Sequence, residues 1–238
     1  MASTDSANDS KQLHVAMFPW LAFGHIIPFL HLSKFIAEKG HKVSFLSTTR
    51  NIQRLPTLPS NLSPLINFVK LALPRVQELP ENAEATMDVP TQDVHYLKKA
   101  YDGLKPQVAQ FLGKESPDWI IYDFAPYWLP EVAAGLGISR AYFSIINAWF
   151  GVFFGPSKDT MNVSDERKTL EDFLTPPKWI PFPHLTYAHP VPSMQATLDA
   201  RAIGRPTDSG FRDAYPFGDA YLKGHPHAMF IQHIAMPI

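Results

Sequence analysis

The sequence contains no cysteine, and it lacks both a long apolar run and a block of like charges. Without cysteine there is neither a disulfide framework nor a thiolate zinc site. The absence of an apolar run of about 18 residues argues against a membrane-spanning helix. A net charge of −1 gives no attraction to nucleic acid or to an anionic membrane surface. We therefore expect a cytoplasmic protein with no membrane span and no nucleic-acid partner.

Two features divide the chain into three expected segments. Residues 1–12 are polar and lack the basic and apolar parts of a signal peptide, so they are predicted to be a disordered N-terminus. Proline is abundant, and 11 of the 23 prolines follow Gly155, where regular periodicity also fades. We expect one folded domain over residues 13–183 and an irregular tail over residues 184–238.

Apolar strands alternate with amphipathic helices along the folded segment. This alternation predicts an α/β fold with a Rossmann-like parallel sheet and helices on both faces. The strand at residues 66–73 alternates in polarity, which indicates a more exposed position in the sheet. The other strands are expected at residues 13–18, 42–47, 119–123 and 139–145. The helices are expected from Ile26 or Ile27 to Lys39 and at residues 51–55, 91–112, 129–136 and 148–154.

Two ionisable residues, His25 and Asp123, follow predicted strands at their carboxyl ends. Ligands of open α/β sheets bind at this edge. An imidazole there can act as a general base, and a carboxylate on its other ring nitrogen would fix the tautomer. Each residue also has a purely structural interpretation: His25 as a residue that only hydrogen-bonds the turn, and Asp123 as a helix N-cap.

Several aromatic residues lie near these two positions in the sequence. They are expected to line an apolar pocket, although each is equally well explained as a core residue. The residues are Trp20, Phe23, Tyr127, Trp128 and Trp149.

Motifs of other activities are absent or weak. The loop PWLAFGH has one glycine, so it is not a dinucleotide fingerprint, and neither GxxxxGK[ST] nor GxSxG occurs. The histidines at positions 225, 227 and 233 have no nearby carboxylate or cysteine to complete a metal site. We predict no metal and no cofactor.

Three segments carry a family resemblance: residues 14–56, residues 63–86 and residues 117–145, which begin HVAMFPWLAFGH, SPLINFVKLALP and PDWIIYDFAPYW. They resemble the N-terminal domain of plant UDP-sugar-dependent glycosyltransferases. The closer likeness is to the branch that extends the sugar of an existing glycoside, the rhamnosyl- and glucosyltransferases. The resemblance covers residues 12–183.

The resemblance implies a GT-B architecture of two Rossmann-like domains, with the acceptor bound by the N-terminal one. It implies inverting transfer of a sugar from a UDP-sugar donor to a hydroxyl of a flavonoid, saponin or terpenoid glycoside. It also implies a catalytic pair at His25 and Asp123, without a metal. The acceptor contacts that it implies come from Trp20 to Gly24, Met87 to Val89, Tyr127-Trp128 and Asn147 to Trp149.

The sequence departs from this family after Pro183. The family's nucleotide-recognition motif, with its uracil-stacking tryptophan and phosphate loop, has no counterpart here. We therefore expect a truncated relative that is inactive alone, with a UDP-sugar site only if the other half is supplied. The alternative function is a non-catalytic module that binds small molecules or a partner.

Overall fold

The computed structural model describes residues 11–145. In this part of the chain five strands form one parallel sheet in the order β3-β2-β1-β4-β5. The strands are β1 (His14–Phe18), β2 (Lys42–Thr48), β3 (Ile66–Leu71), β4 (Trp119–Tyr122) and β5 (Ser139–Tyr142). The helices are α1 (Phe23–Glu38), α2 (Thr49–Gln53), α3 (Val94–Asp102), α4 (Lys105–Glu115) and α5 (Leu129–Gly135). Two 3₁₀ turns lie at Thr86–Asp88 and Thr91–Asp93.

The predicted fold class is confirmed, and β1 lies at the centre of the sheet. It pairs in parallel with β2 on one side and with β4 on the other, with Phe18 opposite Tyr122. Four of its five residues are buried, as expected of a strand covered on both faces. The strand predicted to be more exposed, β3, is an edge strand. The carboxyl ends of β1 and β4 therefore lie side by side.

Helix α1 begins earlier than the sequence pattern predicts. The predicted start was Ile26 or Ile27, but the carbonyl of Ala22 already accepts the N–H groups of His25 and Ile26, both at 2.8 Å. Pro28 is consequently inside the helix rather than in its first turn. Proline has no backbone N–H group to donate, so it is tolerated best in the first turn of a helix, and the sequence therefore predicts a later start. The earlier start makes His25 part of the first helical turn.

The long helix predicted for residues 91–112 is two helices, α3 and α4, separated at Gly103 and Leu104. A Cβ on Gly103 would lie 2.9 Å from Cγ of Pro74 and 3.2 Å from the carbonyl oxygen of Ala100. The break therefore brings the backbone too close to its neighbours for a side chain.

Substitution of Gly103 by alanine is expected to destabilise the protein by about 1–2 kcal/mol, because the new methyl group overlaps Pro74. Urea unfolding followed by circular dichroism measures this change. Gly135→Ala is the matched control, since a Cβ there meets nothing within 4 Å. Equal unfolding midpoints for the two variants would contradict the expectation.

Candidate functional site

The loop between β1 and α1 meets the end of β4. Pro19 follows the last residue of β1, and the backbone N–H of Asp123 donates to the carbonyl of Phe18 at 3.3 Å. The backbone N–H of Trp20 donates to Oδ2 of Asp123 at 3.0 Å. These contacts place the first turn of α1 directly over the carboxylate.

His25 and Asp123 are in contact, as their predicted place at one sheet edge requires. Nδ1 of His25 lies 2.7 Å from Oδ2 of Asp123. The Asp123 side chain is 1% exposed, whereas that of His25 is 18% exposed. The carboxylate is thus buried beneath the ring, and the ring retains access to solvent.

Three nitrogen atoms surround the carboxyl group of Asp123. Oδ1 accepts the backbone N–H of Phe124 at 2.7 Å, and Oδ2 accepts both Trp20 and His25. The backbone N–H groups of Trp20 and Phe124 can only donate, and the oxygens of Asp123 accept both of them. Facing an oxygen that only accepts, Nδ1 of His25 is the ring nitrogen placed to donate, which directs the lone pair of an uncharged imidazole to Nε2.

Aromatic rings enclose this pair of residues. The ring of Phe124 lies 5.4 Å from that of His25 and 6.2 Å from that of Trp20. Trp20 is buried and meets Tyr101 edge-on at 5.0 Å. Such packing holds the loop in place and limits water around the carboxylate.

Tyr101 belongs to this cluster, although no feature of the sequence singled it out. Its ring stacks on Phe18 at 5.0 Å, and its hydroxyl donates to the carbonyl of Pro19 at 3.3 Å. Burial, followed by the nearby charges of Asp123 and Asp102, raises the pKa of Tyr101 well above its usual value. Tyr101 is therefore a neutral hydrogen-bond donor that anchors the β1–α1 loop.

The other predicted acceptor residues differ widely in exposure. Met87 and Tyr127 are 70% and 55% exposed, whereas Trp128 is 5% exposed and packs against Phe18. Gly24 is exposed and Phe23 is half-buried in the first turn of α1. The last two predicted residues, Asn147 and Trp149, lie outside the described residues.

The turn that carries Met87 is fixed by charged groups. The Arg54 guanidinium donates to both carboxylate oxygens of Asp88, at 2.9 and 2.6 Å. Oδ2 of Asp88 also accepts the backbone N–H groups of Glu84 and Ala85, at 3.0 and 2.9 Å. Burial opposes ionisation, but Arg54 and these two N–H groups outweigh it and lower the pKa of Asp88. The turn is thus held from two sides.

Residues 11–145 contain no group of three or more His, Asp or Glu side chains arranged to hold a metal ion. The sequence also predicts no metal site at the histidines at positions 225, 227 and 233, and these three residues lie outside the described range. No helix in the described part of the chain is long and apolar enough to span a bilayer.

Curated plant enzymes are similar to this chain. UDP-glycosyltransferase 91D1 of Stevia rebaudiana is 68% identical over 185 residues, which are 77% of this chain and 38% of the relative. Soyasaponin III rhamnosyltransferase of Glycine max is 39% identical over 221 residues, 93% of this chain and 45% of the relative. This second alignment extends beyond Pro183. The chain thus spans about two fifths of the length of the curated relatives it matches.

Solved structures agree with this result. Arabidopsis thaliana UGT89C1 in complex with UDP-L-rhamnose superposes with a TM-score of 0.57 at 26% identity, over 64% of this chain and 41% of that one. The parallel sheet and its helices have the fold of the N-terminal part of GT-B glycosyltransferases. No family profile matches the sequence.

Proposed function

Because this chain is related to plant UDP-glycosyltransferases, we propose that it binds a small-molecule glycoside and supplies the base for sugar transfer. The observation that carries the proposal is the 2.7 Å contact between Nδ1 of His25 and the buried carboxylate of Asp123. In the proposal this contact holds the imidazole proton on Nδ1, so that Nε2 of the partly exposed ring has the free lone pair. A general base needs this combination of a free lone pair and a fixed orientation.

In the proposed step, Nε2 of His25 takes the proton of an acceptor hydroxyl while the oxygen attacks the anomeric carbon of the UDP-sugar. The new carbon–oxygen bond forms as the bond from that carbon to the UDP phosphate breaks. UDP leaves with the electron pair, and the anomeric configuration inverts. The buried negative charge of Asp123 stabilises the imidazolium that forms. No covalent enzyme intermediate is required.

The proposed acceptor is a glycoside with an apolar aglycone. The soybean relative is named for rhamnosyl transfer to soyasaponin III, which is a saponin. In this chain, Met87 and Tyr127 expose large apolar surfaces, and Lys98 lies 5.1 Å from the ring centre of Tyr127. An aglycone can pack on such surfaces while its sugar reaches His25. The acceptor contacts of Trp20, Phe23, Gly24 and Trp128, and of Asn147 and Trp149, remain part of the proposal.

We propose that the UDP-sugar donor does not bind to these 238 residues alone. The sequence has no glycine-rich phosphate cradle and no counterpart of the family's nucleotide-recognition motif. Sugar transfer requires both reactants in near-attack geometry, so the chain alone is expected to be inactive.

The proposal is tested with a chimera in which residues 1–183 replace the matching part of the Stevia enzyme. Release of UDP from UDP-glucose or UDP-L-rhamnose is measured with and without soyasaponin III or an anthocyanidin 3-O-glucoside. We expect glycoside-dependent release. A folded chimera that binds the glycosides but releases no UDP would instead support the non-catalytic binding module.

A further inference from the structure

We propose that Arg54 and Asp88 are positioning residues that shape the acceptor site by holding the turn Thr86–Asp88. The inference rests on the proposed function, because it assigns to this turn one wall of the glycoside-binding site. Neither residue faces the bound sugar in this account. They act through Met87, which the turn presents.

Arg54 and Asp88 form a two-point contact that fixes their relative orientation. Two hydrogen bonds join the two Nη atoms of Arg54 to the two carboxylate oxygens of Asp88. Their side chains are only 23% and 12% exposed, so solvent screens the pair less than it would an exposed ion pair. A planar fork fixes the orientation of both groups, which a single contact from a lysine would not do.

Glu84, two residues before the turn, is attached to α2 at two further points. The backbone N–H of Arg50 donates to Oε2 of Glu84 at 2.8 Å. Nδ2 of Asn51 donates to the carbonyl of Glu84 at 2.6 Å. Helix α2 and the residue after it therefore act as a platform on which the segment from Glu84 to Asp88 is mounted.

A backbone contact connects this platform to the proposed catalytic pair. The N–H of Thr86 donates to the carbonyl of Leu21 at 2.9 Å. Leu21 follows Trp20, whose own N–H binds the carboxylate of Asp123. The turn and His25 are thus fixed to the same four-residue loop, and a displacement of the turn changes the distance from Met87 to the base.

The Arg54–Asp88 pair affects glycoside binding through the position of Met87. The residue lies in the middle of the turn, between two residues that hydrogen-bond to other parts of the fold, and its side chain is 70% exposed. Holding a large apolar side chain in solvent costs free energy that an apolar ligand can recover. A fixed backbone at this position pre-organises the surface and lowers the entropic cost of binding.

The test measures binding of soyasaponin III to the full 238-residue chain by isothermal titration calorimetry. We expect Arg54→Gln to raise Kd about fivefold to tenfold through the loss of pre-organisation, and Arg54→Lys to raise it less. Arg75→Gln is the matched control, because its ion pair with Glu81 lies in the same connection between β3 and α3 as Asp88 but is 94% and 82% exposed. This control is expected to leave Kd unchanged.

A double-mutant cycle separates positioning from a general loss of structure. If Arg54 acts through Met87, then Arg54→Gln should have little effect on Kd in a Met87→Ala background. Hydrogen exchange at the amides of Glu84 and Ala85 should accelerate in Arg54→Gln, while exchange in β1 stays slow.

The outcomes distinguish this inference from the proposed function. If the wild-type chain binds the glycoside and Arg54→Gln has the same Kd, the positioning role is overturned and the proposed function is not. Equal effects of Arg54→Gln with and without Met87 would also overturn it. Failure of the wild-type chain to bind either soyasaponin III or an anthocyanidin 3-O-glucoside would overturn the proposed acceptor site, and the positioning role with it.

Discussion

Replacement of His25 by alanine is expected to reduce sugar transfer by the chimera at least about 100-fold, and up to about 10⁴-fold. The reason is that the other hydrogen-bond partners given for the buried Asp123 in the described part of the chain are the backbone N–H groups of Trp20 and Phe124. These groups cannot accept a proton, so they cannot replace His25 as the base. The effect should fall on kcat, with the Kd of the glycoside changed less than about threefold, because the base acts mainly in the transition state.

His31→Ala is the matched control for this prediction. His31 lies six residues further along α1, so the substitution alters the same helix away from Asp123. It is expected to retain nearly full transfer. Comparable losses of activity in the two variants would contradict the assignment of the base to His25.

Asp123→Asn is the second substitution with a large expected effect, and it acts on both stability and rate. The carboxylate accepts three N–H groups in a buried place, whereas an asparagine offers one acceptor oxygen and an NH2 group. One donor then faces another donor, which is expected to cost about 2–4 kcal/mol of unfolding free energy. Urea denaturation of the 238-residue chain measures this loss.

The effect on rate follows from the tautomer of His25. An amide NH2 facing Nδ1 favours the form that is protonated at Nε2, which cannot accept a proton from the sugar hydroxyl. We expect transfer by the chimera to fall about 10³-fold or more. Asp118→Asn is the control, since Asp118 precedes the opposite end of β4 and is paired with Lys11 in a more exposed place. Loss of transfer in both variants would show a general effect on the strand.

The sheet and the place of the catalytic candidates could be predicted because they depend on short-range pattern. Continuous apolar runs identify covered strands, and the carboxyl ends of parallel strands share an edge. From these two facts alone, His25 and Asp123 belong near each other although they are 98 residues apart, and the structure places them 2.7 Å apart. The alternating polarity of β3 likewise indicated a more exposed position, and the strand lies at an edge of the sheet.

Features that depend on contacts between irregular segments escaped prediction. Arg54 and Asp88 are 34 residues apart and Asp88 lies outside the predicted strands and helices, so no periodic pattern in the sequence connects them. The start of α1 depends on the carbonyl of Ala22, whereas the sequence signal at Pro28 favoured a later start. Tyr101 resembles any other apolar position of a helix, and only the packing reveals its bond to Pro19.

The segmentation at residues 12 and 183 remains a prediction, as does the role of every acceptor residue. Asn147 and Trp149, which lie outside the described residues, are predicted acceptor residues from the sequence and the resemblance alone. The alignment with the soybean enzyme is informative here, because it continues past Pro183 and so extends the similarity beyond the segments that first indicated the family.

We propose that these 238 residues form the acceptor side of a UDP-sugar-dependent transferase. Calorimetric titration of the purified chain with soyasaponin III or an anthocyanidin 3-O-glucoside, and separately with UDP, tests it most directly. We expect saturable binding of at least one glycoside and no binding at millimolar UDP. Clear binding of UDP without binding of either glycoside would contradict it.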